Sequence, residues 1–166
     1  MLLKGVIFED FINYKKPSMV LQFPSCTFKC DKECGKPVCQ NSTLAKEPDI
    51  EVNVLSLLKR YVENPITEAI VFQGLEPFDS YADVAYIIGS LRNYYNVDDD
   101  IVIYTGYKKE EIQTQIEALQ RFKNIIVKYG RFIPDQEQHF DEVLGVNLAS
   151  PNQYAEYIGE KTCKTL

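Results

Sequence analysis

The chain has one histidine, His139, and no tryptophan in 166 residues. That scarcity weakens any mechanism needing a histidine base, and any histidine-rich metal site. No apolar run approaches the roughly 18 residues needed to span a bilayer. The opening Met1-Leu2-Leu3-Lys4-Gly5-Val6 lacks the long apolar segment of a secretory signal, and Glu9-Asp10 interrupts it early. The expectation is a cytoplasmic protein with no membrane partner. A basic stripe is also missing: the formal net charge is −6, and the densest basic patch is scattered between Lys29 and Lys36. Proteins that track a nucleic-acid backbone carry such a stripe, so no nucleic-acid partner is expected. With no internal repeat, low-complexity segment or linker, residues 1–166 are expected to form a single domain.

What the chain does have is cysteine in one place. Four of its five cysteines fall inside fourteen positions, as Cys26-x3-Cys30-x3-Cys34-x4-Cys39. In a reducing compartment such a cluster points to metal binding or catalysis rather than to disulfides. Structural zinc usually uses two ligand pairs about a dozen or more residues apart, whereas these thiols form one compact loop. Iron–sulfur clusters also draw thiolates from short loops. Spacing alone leaves zinc and an iron–sulfur cluster both open. A cluster held by three thiolates would leave one iron free for a small ligand.

The rest of the chain alternates strands and helices. Residues 1–15 read as a strand or hairpin turning at Glu9-Asp10, and Met19 to Phe23 as a strand. The cysteine loop, residues 25–41, follows and runs on to Pro48. A helix is expected from Asp49, a candidate N-cap, with Ile50, Val54, Leu57, Leu58 and Tyr61 on one face and Asn64-Pro65 as its end. Ala69 to Phe72, Ile101 to Tyr104 and Ile125 to Tyr129 are uninterrupted apolar runs, the pattern of strands buried on both faces of a parallel sheet. Helices over Tyr81–Tyr95 and Lys109–Phe122 separate them. Val143 to Leu148 reads as a last strand and Pro151 to Gly159 as a short helix. This is an α/β chain with right-handed crossovers, in which ligands sit at the carboxyl ends of the strands. The cysteine loop, the Gly74-Leu75-Glu76-Pro77 loop and the Tyr104-Thr105-Gly106 loop are expected on that one rim.

In that order the motifs resemble the radical S-adenosylmethionine (SAM) enzymes, and among them the activating proteins of anaerobic ribonucleotide reductase. Cys26-Thr27-Phe28-Lys29-Cys30 begins like that family's Cys-x3-Cys-x2-Cys loop. Phe72-Gln73-Gly74-Leu75-Glu76-Pro77 is similar to its Gly-Gly-Glu-Pro segment, with Leu75 in place of the second glycine. Ile103-Tyr104-Thr105-Gly106-Tyr107 is similar to the activators' Tyr-Thr-Gly-Tyr segment. Gly130-Arg131-Phe132 and Ser150-Pro151-Asn152-Gln153 resemble two later ones. The family's third cysteine falls at Glu33. Cys39-Gln40-Asn41 matches its context, which makes residues 31–36 an insertion and leaves Cys34 as the alternative ligand.

The resemblance implies an incomplete (β/α) barrel, mostly parallel sheet with helices outside. It implies a 4Fe-4S cluster on Cys26, Cys30 and Cys39, and SAM held near Gly74, Glu76, Tyr104, Thr105 and Gly106, with Glu76 accepting from the SAM ammonium. Asn152 and Gln153 are further candidates for the rim. The implied activity is reductive cleavage of SAM to make a glycyl radical on a large partner enzyme of the anaerobic ribonucleotide reductase type. An electron donor such as flavodoxin or ferredoxin would serve it. A radical SAM enzyme with another substrate, or a non-catalytic zinc or iron–sulfur module, are the alternatives. Taken singly, the residues have plainer readings. Glu76 reads as a solvated loop carboxylate, Tyr104 and Thr105 as a strand end, and Asp98-Asp99-Asp100 as a solvated turn. His139 reads as exposed, Tyr94-Tyr95 as core-edge, and Cys163 as an idle thiol.

Overall fold

Three crossovers of one hand organise the chain. The structure is a computed structural model and describes residues 1–160. Its strands are β1 (Leu2–Leu3), β2 (Gly5–Asp10), β3 (Ser18–Phe23), β4 (Ile50–Glu51), β5 (Ala69–Gly74), β6 (Asp100–Tyr104), β7 (Ile125–Tyr129), β8 (His139–Asp141), β9 (Val146–Leu148) and β10 (Tyr154–Tyr157). The helices are α1 (Lys29–Cys34), α2 (Val54–Val62), α3 (Tyr81–Asn93) and α4 (Gln113–Leu119). The central sheet runs β10-β7-β6-β5-β3-β2. Its four middle strands are parallel and its two edges antiparallel. Among the described residues the sheet does not close into a barrel.

The uninterrupted apolar runs explain the parallel strands, because every position of β7 and nearly every position of β5 and β6 is buried. Alternate residues serve two cores. Met19, Phe72, Ile103 and Val127 pack with helix residues such as Leu58, Ile88 and Ile116. Val20, Val71, Val102 and Ile126 pack with Tyr14, Leu144 and Leu148 from the connecting segments. All three long helices therefore cover one face, and the parallel strands lie side by side in chain order, β3, β5, β6, β7. Among the described residues no helix is long and apolar enough to cross a membrane.

Several elements depart from the sequence expectation, each because a tertiary partner overrides a local signal. Glu9 and Asp10 continue β2 rather than turning, and the hairpin partner is β3. The bend follows Asp10, whose carboxylate accepts from the amides of Ile12 and Asn13. Asp49 does not cap a helix, since its carboxylate lies 2.8 Å from Lys4 Nζ, and Ile50–Glu51 pair with Leu2–Leu3. The N-cap of α2 is Asn53, accepting from Ser56 N at 3.0 Å. The segment Lys109–Phe122 is a 3-10 turn, Lys109–Ile112, followed by α4. The final helix expected at Pro151–Gly159 is instead β10, which pairs along the otherwise open edge of β7. Val146–Leu148 form a hairpin with β8, which leaves His139 half-buried in a strand rather than exposed. The last strand expected at Val143 begins later because Asp141 caps the turn, accepting from Leu144 N. Tyr95 packs at the core edge, while Tyr94 is exposed.

The aspartate run is not merely solvated. Asp99 accepts from Tyr61 Oη at 2.8 Å, while buried Asp100 accepts from Tyr14 Oη at 2.9 Å and pairs with Lys16. Asp98 is exposed. Removing one partner of a buried pair leaves the others unsatisfied, so Asp100→Ala should cost about 3 kcal/mol in urea unfolding. Asp98→Ala should stay within about 0.5 kcal/mol of the wild type. Equal effects of the two substitutions would refute this division of roles.

Candidate functional site

A cavity of about 340 Å³ opens where the parallel strands end. Its wall takes residues from the segments that follow β3, β5 and β6, together with Lys128, Gly130 and Phe132 from the end of β7. Cys26, Cys30 and Cys39 all line it, and Cys34 does not. The four described cysteines are free thiols. Cys163 lies outside the described residues.

The cysteine segment is not all loop, because it folds into α1 and a 3-10 turn at Leu44–Lys46. Phe28 takes a left-handed conformation, φ 51°, immediately before α1 and donates its amide to Cys26 Sγ at 3.2 Å. Cys30 sits in the first turn. Beyond α1, the Asp31 carboxylate accepts from the amides of Val38 and Cys39, both at 2.8 Å. Asn41 Nδ2 donates to the Gly74 carbonyl at 2.6 Å, joining the segment to the end of β5. Burial pushes the Cys26 thiol up to about 11, with the Glu76 and Asp79 charges adding to it. Burial also raises Cys30, against the opposing pull of the Phe132 amide, which donates to it, and of Arg131.

Gly74 is required for packing. At φ +103° it takes a conformation that side chains avoid, and an added Cβ would lie 2.7 Å from Phe23 N. Leu75, in the place of the family's second glycine, lines the cavity and pairs its amide with the Phe23 carbonyl.

Glu76 is only 4 % exposed, not a solvated loop carboxylate. Its Oε1 accepts from Phe78 N at 3.1 Å and Thr105 Oγ1 at 2.8 Å, and its Oε2 accepts from Gly106 N at 2.9 Å. Burial pushes it up to about 7, against the pull of those donors. Thr105 and Gly106 are thus more than a strand end. An added Cβ on Gly106 would meet Cys30 Sγ and Glu76 Oε2 at 3.6 Å each. Tyr104 also lines the cavity and donates its hydroxyl to the Asn13 carbonyl at 2.6 Å.

Sequence reasoning missed two features. Lys128 lines the cavity at 7 % exposure and donates to the Gly130 carbonyl at 3.1 Å. Burial pushes it down to about 8, while Glu76 and Cys30 pull it back up. The available signal was a lone charge in the run Ile125-Ile126-Val127-Lys128-Tyr129. The second feature is an ion network behind Cys30. Arg131 grips Glu111 with two bonds of 2.7 Å and lies 3.1 Å from Glu33, and Lys29 reaches Glu111 at 3.0 Å. The later motifs support it: Asn152 Nδ2 donates to the Arg131 carbonyl, and Gln153 Nε2 to that of Gly130. Gln153 lines the cavity as well.

Among the described residues, no three His, Cys, Asp or Glu side chains converge on one point as ligands of a single ion do. The three thiols are instead spread along the wall of a larger space. A family model described as a 4Fe-4S single cluster domain matches residues 18–150, from the start of β3 to just beyond β9. No curated protein and no solved structure matches the chain.

The raised Glu76 pKa has a stability consequence for the metal-free chain. The folded state holds the proton up to about pH 7 whereas the unfolded carboxyl releases it near 4.5, so the gain is complete below 4.5 and fades as pH rises. Between those limits wild-type stability should fall by about 3 kcal/mol more than that of Glu76→Gln. Urea titrations across the range read this directly, and parallel pH profiles would refute it.

Proposed function

The chain belongs to the 4Fe-4S single cluster domain family, and we propose that it is a radical SAM enzyme that makes a glycyl radical on a partner enzyme. The observation that carries this reading is one cavity shared by Cys26, Cys30, Cys39 and the buried Glu76, with Cys34 left outside. Three thiols fit a cluster that keeps one iron for a ligand, and the cavity wall continues past the sulfurs to Glu76, Thr105 and Lys128. The sequential, singly wound strands with helices on one face support an incomplete barrel.

In this reading Cys26, Cys30 and Cys39 hold the cluster. The thiols release protons as they become ligands, and burial raises those of Cys26 and Cys30, so uptake is favoured at higher pH. When bound, the cluster supplies the electron that cleaves SAM to methionine and a radical able to take a hydrogen atom from a glycine. Glu76 accepts the ammonium of SAM, a charge-assisted contact that draws its carboxyl into the ionised form. Lys128, the buried cation on the same wall, suits the carboxylate of the same ligand. Gly74, Tyr104, Thr105 and Gly106 shape the pocket around it. Burial of Glu76 and Lys128 strengthens both contacts by keeping water from competing.

The partner we propose is a large glycyl-radical protein of the anaerobic ribonucleotide reductase type, served by a flavodoxin- or ferredoxin-like electron donor. A different radical SAM substrate is distinguished by mixing the reconstituted protein with a candidate reductase and looking for a glycyl radical by EPR.

Anaerobic reconstitution with iron and sulfide should give a brown protein that forms 5′-deoxyadenosine from SAM on reduction. Cys26→Ala, Cys30→Ala and Cys39→Ala should each lose most of the iron, and Cys34→Ala should keep it. A colourless protein that retains one zinc and never cleaves SAM overturns the enzyme reading. Loss of iron in Cys34→Ala but not in Cys39→Ala overturns the ligand assignment alone.

A further inference from the structure

The cysteine segment offers four thiols where the proposed cluster uses three, and something must choose among them. Helix α1 carries Cys30 and Cys34 one turn apart, about 6 Å along its axis, so both share one side of it. Lys29 and Glu33 make the other i, i+4 pair. Through them α1 is clamped to the ion network, Lys29 on Glu111 and Glu33 beside Arg131 Nε at 3.1 Å. That clamp holds the short helix with its first turn, which carries Cys30, toward the cavity. Cys30 reaches the cavity and Cys34 does not.

The chain must then return to the cavity to bring Cys39 there. Gly35 ends α1 at φ +67°, a left-handed turn that suits glycine. The returning strand of chain, residues 36–39, belongs to no helix or strand and contains no buried residue. The Asp31 carboxylate ties it to α1, its Oδ1 accepting from both the Val38 and Cys39 amides. One oxygen thus holds the backbone of the third cysteine.

We propose that Asp31 is the positioning residue that presents Cys39, rather than Cys34, at the cavity. The inference rests on the cluster reading above for its consequence, but not for its geometry. Without the carboxylate the return segment loses its anchor to α1. Cys39 then leaves the wall for part of the time, and Cys34, one turn beyond Cys30, becomes the competing third sulfur. Asp31→Asn keeps an acceptor oxygen in the same place and should largely preserve the wild-type arrangement.

Two readouts test this. In the metal-free protein, site-resolved alkylation by iodoacetamide, followed by mass spectrometry, should show Cys39 reacting several-fold faster in Asp31→Ala than in the wild type. Cys26 and Cys30 in the same sample should be unchanged, and Asp31→Asn should stay near the wild-type rate. After reconstitution, Asp31→Ala should hold several-fold less iron than the wild type, and adding Cys34→Ala should remove what remains. The same Cys34→Ala change in the wild-type background should leave iron content unaltered. Unchanged Cys39 labelling, or equal acceleration at Cys26, Cys30 and Cys39, overturns the role of Asp31. So does residual iron in Asp31→Ala that is indifferent to Cys34→Ala. A wild-type chain that takes up no iron and sulfide overturns the cluster reading instead, while the labelling arm still decides the geometry.

Discussion

Glu76 joins three separate segments into one rim, and the site depends on that joint. Its amide donates to the Ser25 carbonyl, which holds the entrance of the cysteine segment against the end of β5. Its carboxylate accepts from Thr105 and Gly106, which holds the end of β6. The bond from the Phe78 amide fixes the carboxylate relative to its own loop. Three strand ends that are adjacent by sheet order are thereby adjacent at their tips. A buried carboxylate is costly unless its lone pairs are satisfied, and here donors from two loops meet that need. The constraint runs both ways, since the loops that satisfy Glu76 are the loops that it orders.

The electrostatics of the cavity follow from the same burial. Glu76 and Lys128 are the carboxylate and the ammonium buried in its wall, and burial moves each toward neutrality, to about 7 and about 8. No ion pair joins them among the described contacts, so each remains available to a group entering the space between. A ligand bearing both an ammonium and a carboxylate would return both side chains to their charged forms. Such a site discriminates strongly, because a ligand lacking one of the groups leaves a buried charge unpaired.

What could be read from sequence, and what could not, divides along the same physical line. Ala69–Phe72 and Ile125–Tyr129 announce buried parallel strands because no polar residue interrupts them, and the burial of both faces is a local property of composition. The strands β1, β4 and β10 are too short to carry a pattern, and their pairing is decided by which edge they meet. Asn53 rather than Asp49 caps α2 because Lys4, far off in sequence, takes the Asp49 carboxylate. At the site, the order of the motifs pointed to Glu76, but only the fold makes it a buried group with three donors. Lys128 was legible in principle as the one charge in a buried run. The choice between Cys34 and Cys39 was not legible, since it turns on which turn of α1 meets the cavity and on two amides gathered by Asp31.

The two sides of the cavity are held by different physics. Glu76, Thr105 and Lys128 stand at the ends of strands packed into the cores on both faces of the sheet. The cysteine segment contains no buried residue from Ser25 to Asn41. Its ties are hydrogen bonds and half-exposed ion pairs such as Lys29 with Glu111, each worth about 1 kcal/mol or less. A segment so held opens locally at small cost compared with the sheet behind it. Metal–thiolate bonds formed there would supply much of the free energy that keeps it closed, as they do in small metal-dependent folds. The sulfur side is therefore the part of the rim whose order is coupled to what it binds, whereas the Glu76 side is built before anything arrives.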